Sequence, residues 1–145
     1  MDFKKFRTYL LDKYEIVQAF LFIGYVSGND RLYARLKNQG YKLIFKPTLY
    51  LPNGGVKGNV DAELVLHSMI EYKNYNKALI VSNDGDFYCL VKYLKQNNKL
   101  VKLMIPDRHR YSSLLRKFDN YIVYMNYLEK KLVYKKRGIT LRTEP

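Results

Sequence analysis

The sequence predicts an α/β fold: a mostly parallel sheet of about five strands with helices on both faces. Three observations carry that expectation. Short apolar runs rich in β-branched and aromatic residues alternate with amphipathic stretches along the chain. Gly, Asn, Asp and Ser punctuate the junctions between them. Finally, 145 residues with 48% hydrophobic content suit one domain with a sizeable core.

The elements follow in order. Tyr9 to Lys13 reads as the end of a short amphipathic helix. Ile16 to Tyr25 (IVQAFLFIGY) is a buried strand by its apolar, aromatic content. Ser27 to Asp30 marks a helix start, with Asp30 as the simplest cap, and RLYARLKNQ carries the helix to the stop at Gly40. Lys42 to Lys46 is a second strand, and Pro52-Asn53-Gly54-Gly55 signals a turn between Pro47 and Lys57. From Asn59, VDAELVLHSMIEY has helical spacing through Leu66, Met69, Ile70 and Lys73. Ala78 to Ser82 is a third strand. Phe87, Leu90, Val91 and Leu94 then line one face of a helix, with Cys89 expected as a small buried hydrophobe. Lys99 to Ile105 is a fourth strand, Ser112 to Lys117 a short helix and Tyr121 to Tyr124 a fifth strand. The tail from Tyr127 is basic and is expected to end disordered.

Charge is the strongest global signal. Twenty-six Lys and Arg face 13 Asp and Glu, a net charge of +13, which favours polyanionic partners. Fifteen tyrosines interleave with the lysines, as in Lys92-Tyr93 and Tyr134-Lys135-Lys136-Arg137. Rings beside cations suit single-stranded nucleic acid, although biased genome composition writes the same pattern. No apolar stretch is long and charge-free enough to span a bilayer, and the charged N-terminus does not read as a signal peptide. A single cysteine, Cys89, excludes an internal disulfide, and the chain suits a reducing cytoplasm.

The chemistry concentrates in LIVSNDGDFYCLVKYL, Leu79 to Leu94. Ser82, Asn83, Asp84 and Asp86 sit just past the third strand, and ligands of parallel sheets gather beyond the carboxyl ends of the strands. Two carboxylates held close repel unless a cation or a shared proton intervenes, and oxygen donors of this kind suit Mg2+ or Mn2+. A helix cap explains one such acid equally well. Asp61 opens the preceding helix, which leads into the strand ending at Asp84, so all three acids are expected at one sheet edge. Lys57 stands just before that helix, where it either meets a phosphate or is simply solvated. Asp107 follows the fourth strand and borders the same edge. Arg108 and Arg110 flank His109 there and either hold phosphates or lie in a solvated loop. His67, mid-helix, reads as a surface or packing residue.

KGNVDAELV, LIVSNDGDFYCLVKYL and SSLLRKFDNYIVYMNYLEKKL together resemble the NYN domain family, of the PIN-like nuclease group, and within it the LabA-like (DUF88) bacterial proteins. The resemblance runs from about Phe3 to Lys136. It implies a domain over residues 1–136 with a Rossmann-like, PIN-like three-layer α/β/α fold, followed by a basic tail over residues 137–145. It implies a metal-dependent ribonuclease in which Asp61, Asp84 and Asp86 bind Mg2+ or Mn2+ and act as the catalytic acids. An ion-activated water would attack the RNA phosphodiester in line. Ser82 and Asn83 match the polar turn beside the acids, and Ser113 matches a serine near the cleft. The partner expected is RNA, single strands before duplexes, with no membrane, and with a homodimer left open.

The chain departs from the family pattern at one place. Members open with a strand carrying an Asp and then an Asn, whereas Met1-Asp2-Phe3 falls in the helix that normally follows. A misassigned start, a trimmed chain and a natural short form all fit. In a short form, Ile16 to Tyr25 is expected to pair directly with Ala78 to Ser82. That departure leaves enzymatic activity open and makes a catalytically degenerate RNA-binding protein the alternative.

Overall fold

The computed structural model describes residues 2–54, 56–57, 59–128 and 142–143. Helix α1 (Phe3–Tyr14) starts where the Asp2 side chain accepts from the Lys5 backbone N–H, and it ends on Glu15 in the left-handed region. Strand β1 (Gln18–Gly24) follows, then α2 (Asp30–Asn38) and β2 (Tyr41–Lys46). Gly40, at φ 98°, makes the stop between the last two. Asp30 does not cap α2. The N-cap position falls to Asn29 without a side-chain bond, and the Asp30 carboxylate accepts instead from the Tyr25 hydroxyl at 3.4 Å.

The stretch around the Pro-Asn-Gly-Gly signal forms a small antiparallel hairpin, β3 (Leu49–Tyr50) and β4 (Val56–Lys57). Next come α3 (Asp61–Ile70), β5 (Ala78–Val81), α4 (Tyr88–Gln96), β6 (Leu100–Ile105) and β7 (Ile122–Tyr124). Between β6 and β7 the expected helix is a 3-10 stretch, Ser113–Tyr121, broken at Phe118. A last strand, β8, consists of Arg142–Thr143.

The five strands read from the sequence all form, in two three-stranded pieces ordered β2-β1-β8 and β5-β6-β7. β1 runs parallel to β2, and β5, β6 and β7 run parallel to one another. β8 pairs antiparallel with β1 and also lies against β5. The expected direct pairing of β1 with β5 is therefore not formed, because Arg142–Thr143 comes between them. These two residues belong to the tail expected to end disordered, and they pair with β1, whose edge offers backbone donors and acceptors. The rest of that expectation concerns residues outside those described.

Alternation along the strands explains the three layers. Ala19 and Leu21 of β1 face one side, against Leu36 of α2, and Leu79 and Val81 of β5 face Phe6 and Leu10 of α1. Phe20, Phe22, Ile80 and Leu103 face the other side and share a core with Leu64 of α3 and Leu90, Val91 and Leu94 of α4. That core joins both sheet pieces. The predicted face of α4 is buried, but Cys89 is exposed because it turns to the solvent side of the same helix. On α3 the buried positions are Leu64 and Ser68, while Leu66, Met69 and Ile70 are exposed. The spacing was helical as expected, but a second face of the helix meets the sheet.

Candidate functional site

The loop after β5 begins with Ser82, whose backbone N–H still donates to Met104 of β6. Its hydroxyl accepts from the Asp84 N–H at 2.9 Å, which turns the chain sharply out of the sheet. Asp84 Oδ1 in turn accepts from the Asp86 N–H at 2.8 Å and caps the 3-10 turn Gly85–Phe87. The two acids thus have different local duties. Asp84 is a cap, as the plainer reading of the sequence allowed for one of the pair, while α4 itself follows Phe87 with no side-chain cap.

Asp61 is the first residue of α3, and Asn59 Oδ1 accepts its backbone N–H at 2.8 Å. Lys46, at the carboxyl end of β2, steadies this junction by donating to the Asn59 carbonyl at 2.7 Å and pairing with Glu63 at 3.5 Å. The helix start and the loop after β5 therefore meet at one edge of the sheet. Asp61, Asp84 and Asp86 each offer a carboxylate oxygen, and these oxygens lie within 4.8 Å of one another. Asp84 and Asp86 are exposed and Asp61 is half-buried.

The electrostatics follow from that geometry. Burial pushes the Asp61 carboxyl above its ordinary range, and the charge of Asp84, a side-chain hydrogen bond with it and the charge of Asp86 add to the rise, against a lowering contact from Asn59. Asp61 Oδ2 is buried with no hydrogen-bond partner. A carboxylate oxygen in that position is a satisfied ligand once a hard cation binds and a costly orphan otherwise.

The remaining predicted residues surround this cluster. Asn83 accepts from the Asp107 N–H at 3.2 Å through its side chain and from the Ser112 N–H at 3.0 Å through its carbonyl. It ties the loop after β6 to the acids. Arg108 and Arg110 are exposed on that loop, and the Arg108 N–H donates to Asn126 Oδ1 at 2.8 Å. Lys57 lies in β4, and its side chain is outside the described residues. Ser113 is exposed beside the loop, but the serine that touches the acid turn is Ser112: a Cβ on Gly85 would come within 2.4 Å of its hydroxyl oxygen. Glycine is required there by close approach, not by backbone angle. His67 stays with packing, its ring 5.7 Å from Phe22.

Sequence reasoning did not single out Asn59, Lys46, Glu63 or Ser112 as parts of the site. Asn59 carried a usable signal, an Asx residue two positions before an acid at a helix start. The other three earn their places only through contacts that folding creates.

A family model described as the NYN domain matches residues 1–129. Neither the curated proteins nor the solved structures contain a match. Among the described residues no helix is long and apolar enough to cross a membrane.

Proposed function

The chain belongs to the NYN domain family, and from that premise we propose that it is a divalent-metal-dependent ribonuclease that cleaves single-stranded RNA. The observation that carries the proposal is the convergence of Asp61, Asp84 and Asp86 on one point at the carboxyl edge of the sheet. Three carboxylates and the orphaned Asp61 Oδ2 form an all-oxygen donor set, which fits Mg2+ or Mn2+ and fits soft metals poorly. A bound ion of this kind supplies an activated water and charge stabilisation at the cleaved phosphodiester.

The chain's own residues do the rest. Asp61, Asp84 and Asp86 hold the ions, and a bound cation relieves their mutual repulsion without the proton that Asp61 otherwise holds more tightly. Ser82 and Asn83 fix the direction in which the two loop carboxylates point. On this reading Arg108, Arg110 and Lys57 hold flanking phosphates, and Ser113 contacts the substrate beside them. Enzyme and substrate are drawn together by the +13 charge.

Purified protein should cut single-stranded RNA with Mn2+ or Mg2+ and stop on addition of EDTA. Asp84→Asn and Asp86→Asn should each abolish cutting while the protein still folds and still binds RNA, since Asn at position 84 retains the cap. One observation favours the alternative, a protein that holds RNA without cutting it. The strand that lies between β1 and β5, Arg142–Thr143, carries no carboxylate of its own. That alternative gives no metal-dependent cleavage by the wild type and near-equal RNA affinity in all three proteins.

A further inference from the structure

Outside the acid cluster, the described residues carry an organised charged surface along the seam between α4 and the 3-10 stretch Ser113–Tyr121. Tyr88 packs against Phe118, with ring centroids 5.6 Å apart. Three exposed lysines lie over these rings, from which their flexible stems can swing to a phosphate. Lys92 and Lys117 place their ammonium groups 6.0 and 5.7 Å from the Tyr88 ring centre. Lys95 lies 5.7 Å from the centre of Phe118 and 5.6 Å from that of Tyr121. Tyr88 and Tyr121 are half-buried, so part of each ring remains open to solvent. Asp119 is the one acid on these two elements.

The seam begins at the acid site. Both elements start there, with Gly85 on the α4 side in close contact with Ser112 on the other. From Tyr88 to Lys95 is two turns of helix, about 11 Å, which spans roughly two nucleotides of an extended strand.

We propose that this seam is the track on which single-stranded RNA lies as it enters the acid site, the lysines taking phosphates and Tyr88 and Tyr121 taking base faces. The proposal rests on the reading of RNA as substrate but not on cleavage. Ring and ammonium alternate within one surface, which a strand offering alternate bases and phosphates can use along its length. A duplex buries its base faces and cannot use the rings. Packing alone would favour the same cation–ring contacts, so the test must separate affinity from stability.

The decisive experiment measures binding of a labelled uridine-rich 12-mer RNA in EDTA, where no cleavage occurs, over a range of salt. Lys92→Gln, Lys95→Gln and Lys117→Gln combined should weaken binding at least tenfold at low salt. They should also lower the log–log salt slope by about 2, since each neutralised phosphate of a single strand contributes about 0.7. Combined Lys4→Gln, Lys5→Gln and Lys13→Gln, on exposed positions of α1 in the opposite layer, remove the same charge and should change both far less. Tyr121→Leu should weaken binding with the slope unchanged. Lys117→Glu alone provides the same comparison should the triple variant fold poorly. Equal losses in the two triple variants, or tighter binding of duplex than of single strand, would overturn the proposal. Loss of binding in the seam variant, alongside a wild type that never cuts RNA, would keep the track and reject the nuclease. Wild-type cutting with unchanged KM in the seam variant would keep the nuclease and reject the track.

Discussion

Asp61 shows how one residue's surroundings encode a ligand. Its carboxyl is pushed up by burial and by Asp84, so the folded state binds a proton more tightly than the unfolded chain does. The sign follows by linkage: between the ordinary carboxylate range and the raised value, the native state holds the extra proton, and stability falls as pH rises through that window. In EDTA, Asp61→Asn should remove this part of the pH dependence and be at least as stable as wild type at pH 7. Thermal unfolding from pH 4 to 7 measures it, and a wild type that loses nothing relative to the variant across that range counts against the clustered geometry. Gly85 makes the complementary case. A methyl group there meets Ser112 Oγ at 2.4 Å and Ser112 Cβ at 2.9 Å. Gly85→Ala should cost about 1–3 kcal/mol by overpacking, and less in a Ser112→Gly background. Equal costs in both backgrounds, read by urea denaturation, would show that the two loops do not touch.

The elements differ in how much of them a sequence can carry. The five strands were legible because each is a short apolar run closed by turn residues, and α4 because Phe87, Leu90, Val91 and Leu94 share one face. The hairpin β3–β4 was read only as a turn, since two-residue strands leave no period to detect. Ser112 to Lys117 reads as a short helix, but the turn there is 3-10, runs on to Tyr121 and is kinked at Phe118, which is buried in the core. Strand β8 had no local signal at all, as its place depends on the edge that β1 presents. The acids were legible as a group, since junctions on adjacent elements of a parallel sheet share an edge. Lys99 belongs to this scale too. Its ammonium donates to the Tyr75 carbonyl and, at 2.6 Å, to that of Tyr72, and lies 4.2 and 4.6 Å from the Tyr72 and Tyr75 ring centres. It locks the connection between α3 and β5 to the start of β6. Lys99→Met should cost about 2 kcal/mol, within the usual range for charged hydrogen bonds, without altering RNA affinity. Loss of affinity at unchanged stability would move Lys99 from the scaffold to the interface.

At the scale of the whole molecule, a chain of net charge +13 gathers three acids at one point among its described residues. The +13 charge brings a polyanion close, and the acid cluster repels it until a cation is bound. RNA affinity in EDTA should therefore fall steeply with salt, and Mg2+ should favour RNA at the acid site even as it screens the surface elsewhere. The claim beneath all of this is that Asp61, Asp84 and Asp86 form one divalent-cation site. A titration of Mn2+ into the protein, followed by the loss of its free-ion paramagnetic resonance signal, tests it most directly. Wild type should bind at least one Mn2+ per chain, and Asp61→Asn, Asp84→Asn and Asp86→Asn combined should bind none at the same concentrations. A wild type that leaves the Mn2+ signal unchanged, or a triple variant that binds as tightly as wild type, would contradict it.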